Sequence, residues 1–386
     1  MTLFKQMDLG DIVTFQRGFD ITKAEQLPGT IPIISSSGIT SFHNESKVIA
    51  PGVIIGRKGT LGAVYYTNNN YWPHDTTLWV KDFKGNFPKF IYYFLKTLHL
   101  ENFDTGSSNP TLNRNHIHKI RVYFPESIEI QRKIAAILSA YDELIEVNRQ
   151  RIALLEQAAE ELYREWFVRM RFPGYEHTPI EHGIPQGWEV VKLNSVVSEI
   201  RKGIKKKNIE SDNTKYIGLE HIPRKSILIS NSGNLESFES DKLLFESRDI
   251  LFGKIRPYLH KISLAHFSGI CSTDTIILRV KHTFLEGFVF YTLFSDDFVE
   301  LANVSSKGTK MPRADWDFLK NLEIRLPDKD ILVKYQEVFE SNFAYITALD
   351  TINKELQTAR DQLLPKLMAG TLDVSDLDVH YPPSMR

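Results

Sequence analysis

The chain repeats itself once, and that repetition limits what it can fold into more than any other feature. Leu9-Gly10-Asp11-Ile12-Val13-Thr14 recurs as Leu193-Asn194-Ser195-Val196-Val197-Ser198, and a basic residue and a glycine follow each, Arg17-Gly18 and Lys202-Gly203. Val53-Ile54-Ile55-Gly56-Arg57-Lys58 matches Ile250-Leu251-Phe252-Gly253-Lys254-Ile255. The run from Asp75 to Lys81 matches that from Asp274 to Lys281 with one extra residue, and Phe90–Leu95 matches Phe288–Leu293. Ile120–Pro125 matches Leu322–Pro327. Short apolar runs resemble one another by chance, but five matches in one order mark a duplication.

Each repeat has two parts. The first carries short β-branched and aromatic runs broken by Gly, Pro, Asn and Ser, which reads as strands and turns with a few helices. The second changes period. From Ile134, steps of 4 and 3 lead through Leu138, Tyr141, Ile145, Asn148, Ile152, Leu155, Ala159 and Leu162 to Trp166. From Tyr335 they lead through Val338, Asn342, Tyr345, Leu349, Ile352, Leu356 and Ala359 to Leu363. Sustained 3/4 spacing without Gly or Pro inside predicts two long helices joined along an apolar seam. Pro125 and Pro327 sit just upstream of them, and Pro365 and Gly370 are expected to end the second. One asparagine in each seam, Asn148 and Asn342, is either a tolerated polar residue or a device that fixes register. The expected class is α+β: two mixed α/β units, 1–127 and 190–327, separated by helical segments, 128–189 and 328–386. The helices would pair as an antiparallel coiled coil with pseudo-two-fold symmetry.

A hydrophobic content of 42% with 25% charged residues excludes a disordered chain. The only cysteine, Cys271, permits no intrachain disulfide and no Cys-rich zinc site. The start of the chain has no signal-peptide pattern, and no run approaches the ~18 apolar residues of a membrane span. A cytoplasmic protein without a membrane partner is expected.

Formal net charge is −1, yet it is unevenly distributed. Residues 1–127 carry 13 Lys+Arg against 10 Asp+Glu, and residues 190–327 carry 21 against 17. The helical segments carry 7 against 11 and 6 against 10. Basic residues therefore concentrate on the repeated units. In the first, Arg17, Lys23, Arg57, Lys58, Asn113 and Arg114 lie in loops suited to phosphate or base-edge contacts. In the second, the candidates are Arg201, Lys202, Lys205, Lys206, Lys207, Lys254, Arg256, Lys310 and Arg313. The Gly56–Gly62 run lacks the spacing of a nucleotide-binding phosphate loop. It reads as a tight strand-to-strand turn, or as a place where small residues let the backbone approach a phosphate.

No residue presents itself as catalytic, and none as a metal ligand. There is no Asp/Asn-Pro-Pro-Tyr/Phe quartet for amino-methyl transfer, and His116 and His118 have no identifiable third ligand. Pro327-Asp328-Lys329 is too short a pattern to define a nuclease.

Four further stretches resemble one family. Gln131-Arg132-Lys133-Ile134-Ala135-Ala136-Ile137-Leu138-Ser139-Ala140-Tyr141-Asp142-Glu143-Leu144-Ile145 resembles the central conserved region of type I restriction–modification DNA specificity subunits. So do Trp166–Gly174 and Ile184–Glu189, while Leu363–Gly370 resembles the distal conserved region. The resemblance implies two target-recognition domains, each reading half of a split, asymmetric site on double-stranded DNA. It also implies two methyltransferase subunits docked on the helices, and restriction subunits beyond them. S-adenosylmethionine, ATP and Mg2+ would be used by those partners, with no cofactor bound by this chain and a flipped adenine as the methylated base. A helix over 129–166 would be about 57 Å long at ~1.5 Å per residue, enough to hold two units one DNA turn, ~34–36 Å, apart. Two other readings remain open at this level: a stand-alone DNA-modifying enzyme, and a protein-interaction scaffold with no DNA role.

Overall fold

A computed structural model describes residues 4–103, 111–205, 214–233, 241–308 and 310–385. The chain forms two units. One contains residues 1–146 together with 353–386, and the other is Val147–Ile352.

In the first unit, the run Val53-Ile54-Ile55 between Gly52 and Gly56 is a fully buried central strand. It lies in an antiparallel sheet ordered Thr14–Arg17, Thr77–Asp82, Gly52–Gly56, Val64–Thr67. Alternation along the strands decides what covers each face. Val53, Ile55, Leu78 and Val80 pack with Phe90, Ile91 and Phe94 of the helix Pro88–Lys96. Ile54 and Trp79 point the other way, towards Ile34 and Tyr71, beneath a three-stranded sheet of Gly38–His43, Ile31–Ser35 and Trp72–Pro73. A ribbon of Phe4–Asp8 and Arg121–Pro125 joins the beginning and end of this part.

The second unit repeats the plan. Its sheet runs Val197–Ile200, Thr275–Val280, Ile250–Gly253, Ile262–Leu264. Ile250, Phe252, Ile276 and Leu278 face the helix Glu286–Phe294, while Leu251 and Ile277 join buried Cys271 on the other side. The ribbon is Glu189–Lys192 with Glu323–Leu326. One detail of the expected match changes. Gly56 lies opposite Thr77, and Gly253 lies opposite Thr275. Thr77 therefore corresponds to Thr275, no extra residue is needed, and Asp75 and Asp274 occupy positions one apart.

The two long helices are Ile128–Tyr163 and Lys329–Met368. They run antiparallel. Within the first unit, Arg360 reaches Asp142 at 2.6 Å; within the second, Asn342 Nδ2 donates to the Leu155 carbonyl at 3.0 Å, and Trp166 lies against Tyr335. Asp142 also accepts from the Tyr93 hydroxyl at 2.5 Å, which ties the helix to its unit. Pro365 lies inside the distal helix instead of ending it. Proline removes only its own backbone donor, and Ala369 N still bonds to the Pro365 carbonyl, so the last turn survives. Gly370, at φ +67°, follows the end.

The seam also differs on one side. Leu138, Ile145 and Asn148 are buried, and Tyr141, Ile152, Leu155 and Leu162 are half-buried. On the distal helix Leu349 is buried and Asn342 and Leu356 are half-buried, but Tyr345 is 51% and Ile352 42% exposed. Its deep stripe is Leu332, Tyr335, Phe339, Phe343 and Ile346. The cause is a second neighbour: Phe339 packs on Phe290 and Tyr291 of the globular part, where Gly287 leaves room for its ring. Burial against that larger apolar surface outweighs a strict two-helix seam. No helix among the described residues is long and apolar enough to cross a membrane.

Candidate nucleic-acid interface

In each unit the loop after the central strand is hydrogen-bonded to a late loop that caps a short helical turn. In the first, Arg57 N donates to the Thr76 carbonyl (2.9 Å) and Leu112 N to the Arg57 carbonyl (3.0 Å). Asn113 caps Arg114–Ile117, accepting from Asn115 N. In the second, Lys254 N donates to the Asp274 carbonyl (3.0 Å) and Ala314 N to the Lys254 carbonyl (2.8 Å). Asp315 caps Trp316–Leu319. The turn is tight because Gly56 has no Cβ; one added there would lie 1.9 Å from the Thr60 carbonyl oxygen.

This pairing gathers Arg17, Arg57, Asn113 and Arg114 around a concavity of about 450 Å³. Arg17 Nη2 lies 2.8 Å from Asp75 Oδ2. Burial, and then the charge of Arg17, push the Arg57 guanidinium below its ordinary value, against the pull of Asp75. Arg17 and Arg57 thus share the influence of one carboxylate. Lys58 is exposed on the adjoining turn. Lys23 is not part of this group; it lines a wider cleft of about 800 Å³ with His74, Thr76 and Ser35–Ser37.

The second unit keeps the loops and changes the charges. Lys254 Nζ donates to the Thr273 carbonyl (2.6 Å) and lies 3.4 Å from Asp274, which also faces Arg313 at 3.7 Å. Arg256 stands where the first unit has Gly59, and both backbones are left-handed, at φ +52° and +86°. Lys310 is exposed on the late loop. Arg201, just past the strand Val197–Ile200, pairs with Glu199 of that strand at 2.7 Å, and Lys202 and Lys205 are exposed beside it. Lys206 and Lys207 lie outside the described residues.

Sequence reasoning listed the cations and missed the acids that orient them, Asp75 and Asp274. The signal was present, since both stand in the repeated Asp-Thr motif that served only to align the halves. Among the described residues, Asp20, His74 and Asp75 also bring potential metal-ligating atoms within 4.8 Å of one another. Arg17 already holds one Asp75 oxygen there, so the group acts as the partner of a cation within the chain.

A duplicated α/β unit thus presents hydrogen-bonded loop pairs that carry basic residues twice. Comparison with known proteins names the class. The model of the type I restriction modification DNA specificity domain matches residues 1–157 and 185–360, and the chain belongs to that family as a specificity subunit. The MjaIX specificity subunit of Methanocaldococcus jannaschii is 28% identical over 76% of this chain and 71% of its own. The EcoDI specificity subunit of Escherichia coli is 22% identical over 92% and 84%. The crystal structure of the type I restriction–modification S subunit from M. genitalium shares the fold, with a TM-score of 0.62 at 16% identity, covering 95% of this chain and 96% of that one.

Proposed function

We propose that the chain reads a bipartite, asymmetric DNA site, with residues 1–127 and 190–327 as the two target-recognition domains. One observation carries this reading: the same loop pair recurs in both units with different side chains, Arg57 and Thr111–Arg114 in one, Lys254 and Arg313–Trp316 in the other. Equal frames with unequal contents suit two different half-sites. Exposed cations on these loops supply phosphate contacts, and Asn and Arg side chains supply base readout.

The chain itself performs no catalysis in this reading and binds no cofactor. It works in the cytoplasm with two methyltransferase subunits, which use S-adenosylmethionine, and with restriction subunits, which use ATP and Mg2+. Exposed Val147, Leu154, Val338, Tyr345 and Ile352 of the second unit support docking of a protein partner on the helices. The helices set the half-site spacing. Sequencing the methylated bases of a host that carries the complete system tests this: a split motif is expected, and no motif refutes it. Inserting one heptad in each long helix should change the spacer between the half-sites while preserving both half-sequences; an unchanged spacer removes the ruler role.

A further inference from the structure

Of the three arginines that line the concavity of the first unit, Arg17 is held by a carboxylate. Arg57 and Arg114 make no ion pair among the described residues. Arg17 ends the strand Thr14–Arg17, opposite Leu78. Asp75 leaves a turn that is itself fixed, because Thr77 N and Oγ1 both donate to the His74 carbonyl and Gly18 N donates to that of Thr77. Both partners therefore stand on hydrogen-bonded backbone. The contact uses Nη2, and the side chain is still 56% exposed, so the rest of its fork faces solvent. A free surface arginine loses rotamer entropy when it is fixed. One already oriented avoids much of that loss and offers its donors in a set direction.

Two adjacent donors on a planar guanidinium match the O6 and N7 acceptors of guanine in the major groove. Phosphates demand charge more than direction, which suits Arg57 and Arg114. In the second unit the corresponding arginine, Arg201, is held by Glu199 from its own side of the sheet, at 2.7 Å. Thr273 stands where Asp75 does, its acid has moved to Asp274, and Asp274 faces Lys254 and Arg313.

We propose that Arg17, oriented by Asp75, is the guanine-reading residue of the first unit, while Arg57 and Arg114 hold flanking phosphates. The proposal rests on the function proposed above. The test uses the full chain assembled with its methyltransferase partner, read by sequencing methylated bases in the host. A split motif from the unaltered chain keeps the underlying function, whereas no motif overturns both. Arg17→Lys keeps the charge and loses the fork. It should relax one guanine of one half-site, lowering preference for that base about 10-fold or more, with the other half-site unchanged. Asp75→Asn should relax the same position. Arg57→Lys should leave the motif intact. An intact motif in both Arg17→Lys and Asp75→Asn would overturn the assignment in favour of phosphate contact. Loss of the whole motif in both would overturn it in favour of a purely structural ion pair.

Discussion

The two units solve one backbone problem with different residues. After the central strand each chain turns through a left-handed position; the first unit places Gly59 there and the second Arg256. Glycine adopts that conformation without steric cost, while an arginine stores about 1–3 kcal/mol of strain. The second unit accepts strain to hold an exposed guanidinium at the turn, and the first leaves the turn bare and builds its cationic surface from Arg17, Arg57 and Arg114. Duplication preserved the frame, and divergence moved the charge within it.

The largest effect expected from breaking this comparison lies in the cores. Phe252 of the second unit stands where the first has Ile55, and both are buried. Phe252→Ala should cost about 3–5 kcal/mol. Denaturant unfolding followed by hydrogen exchange should show the loss in Val147–Ile352, with protection of the strand Gly52–Gly56 retained. Equal loss in both units would mean that they unfold as one.

A smaller effect follows from Glu286, which starts the helix matching Pro88–Lys96 and has proline as its counterpart. Burial raises its carboxyl from an ordinary 4.5 to about 7, against the pull of Arg248, which donates to it at 3.0 Å and also pairs with Glu340. The folded form holds this proton more tightly than the unfolded chain does. Its contribution is therefore full below about pH 4.5, declines as pH rises towards 7, and levels off above, for a total of about 3 kcal/mol. Glu286→Gln should flatten that part of the stability profile measured by urea unfolding, and an unaltered slope would refute the assignment.

The smallest effect sharpens the opening contrast. Arg256→Gly should stabilise the second unit by about 1 kcal/mol through relief of strain, read as a rise in melting temperature, and should weaken DNA affinity at low salt. Unchanged stability would show that the left-handed turn is not strained.

Much of the frame was legible in the sequence because duplication writes it twice. The Gly56 and Gly253 turns and both long helices follow from short-range spacing, whereas the match of Phe90–Leu95 to Phe288–Leu293 does not by itself say that both are helical. The distal stripe was less legible. A 3/4 series fits several helix faces, and only the packing of Phe339 on Phe290 and Tyr291 selects one. Charges were visible as composition but not as pairs: nothing in the sequence joins Arg17 to Asp75 until the strands bring residues 58 positions apart into contact.

Membership of the first unit has a consequence for synthesis. Leu367, Met368 and Val374 are buried in the core that holds Leu9 and Phe15, and a Cβ on Gly370 would collide with the Phe4 ring. Val147–Ile352 is continuous and can fold on the ribosome as soon as it emerges. Residues 1–146 must wait for residues 353–386. A frameshift after Ile352 would therefore strike the unit that contains residues 1–146, and Val147–Ile352 would be spared.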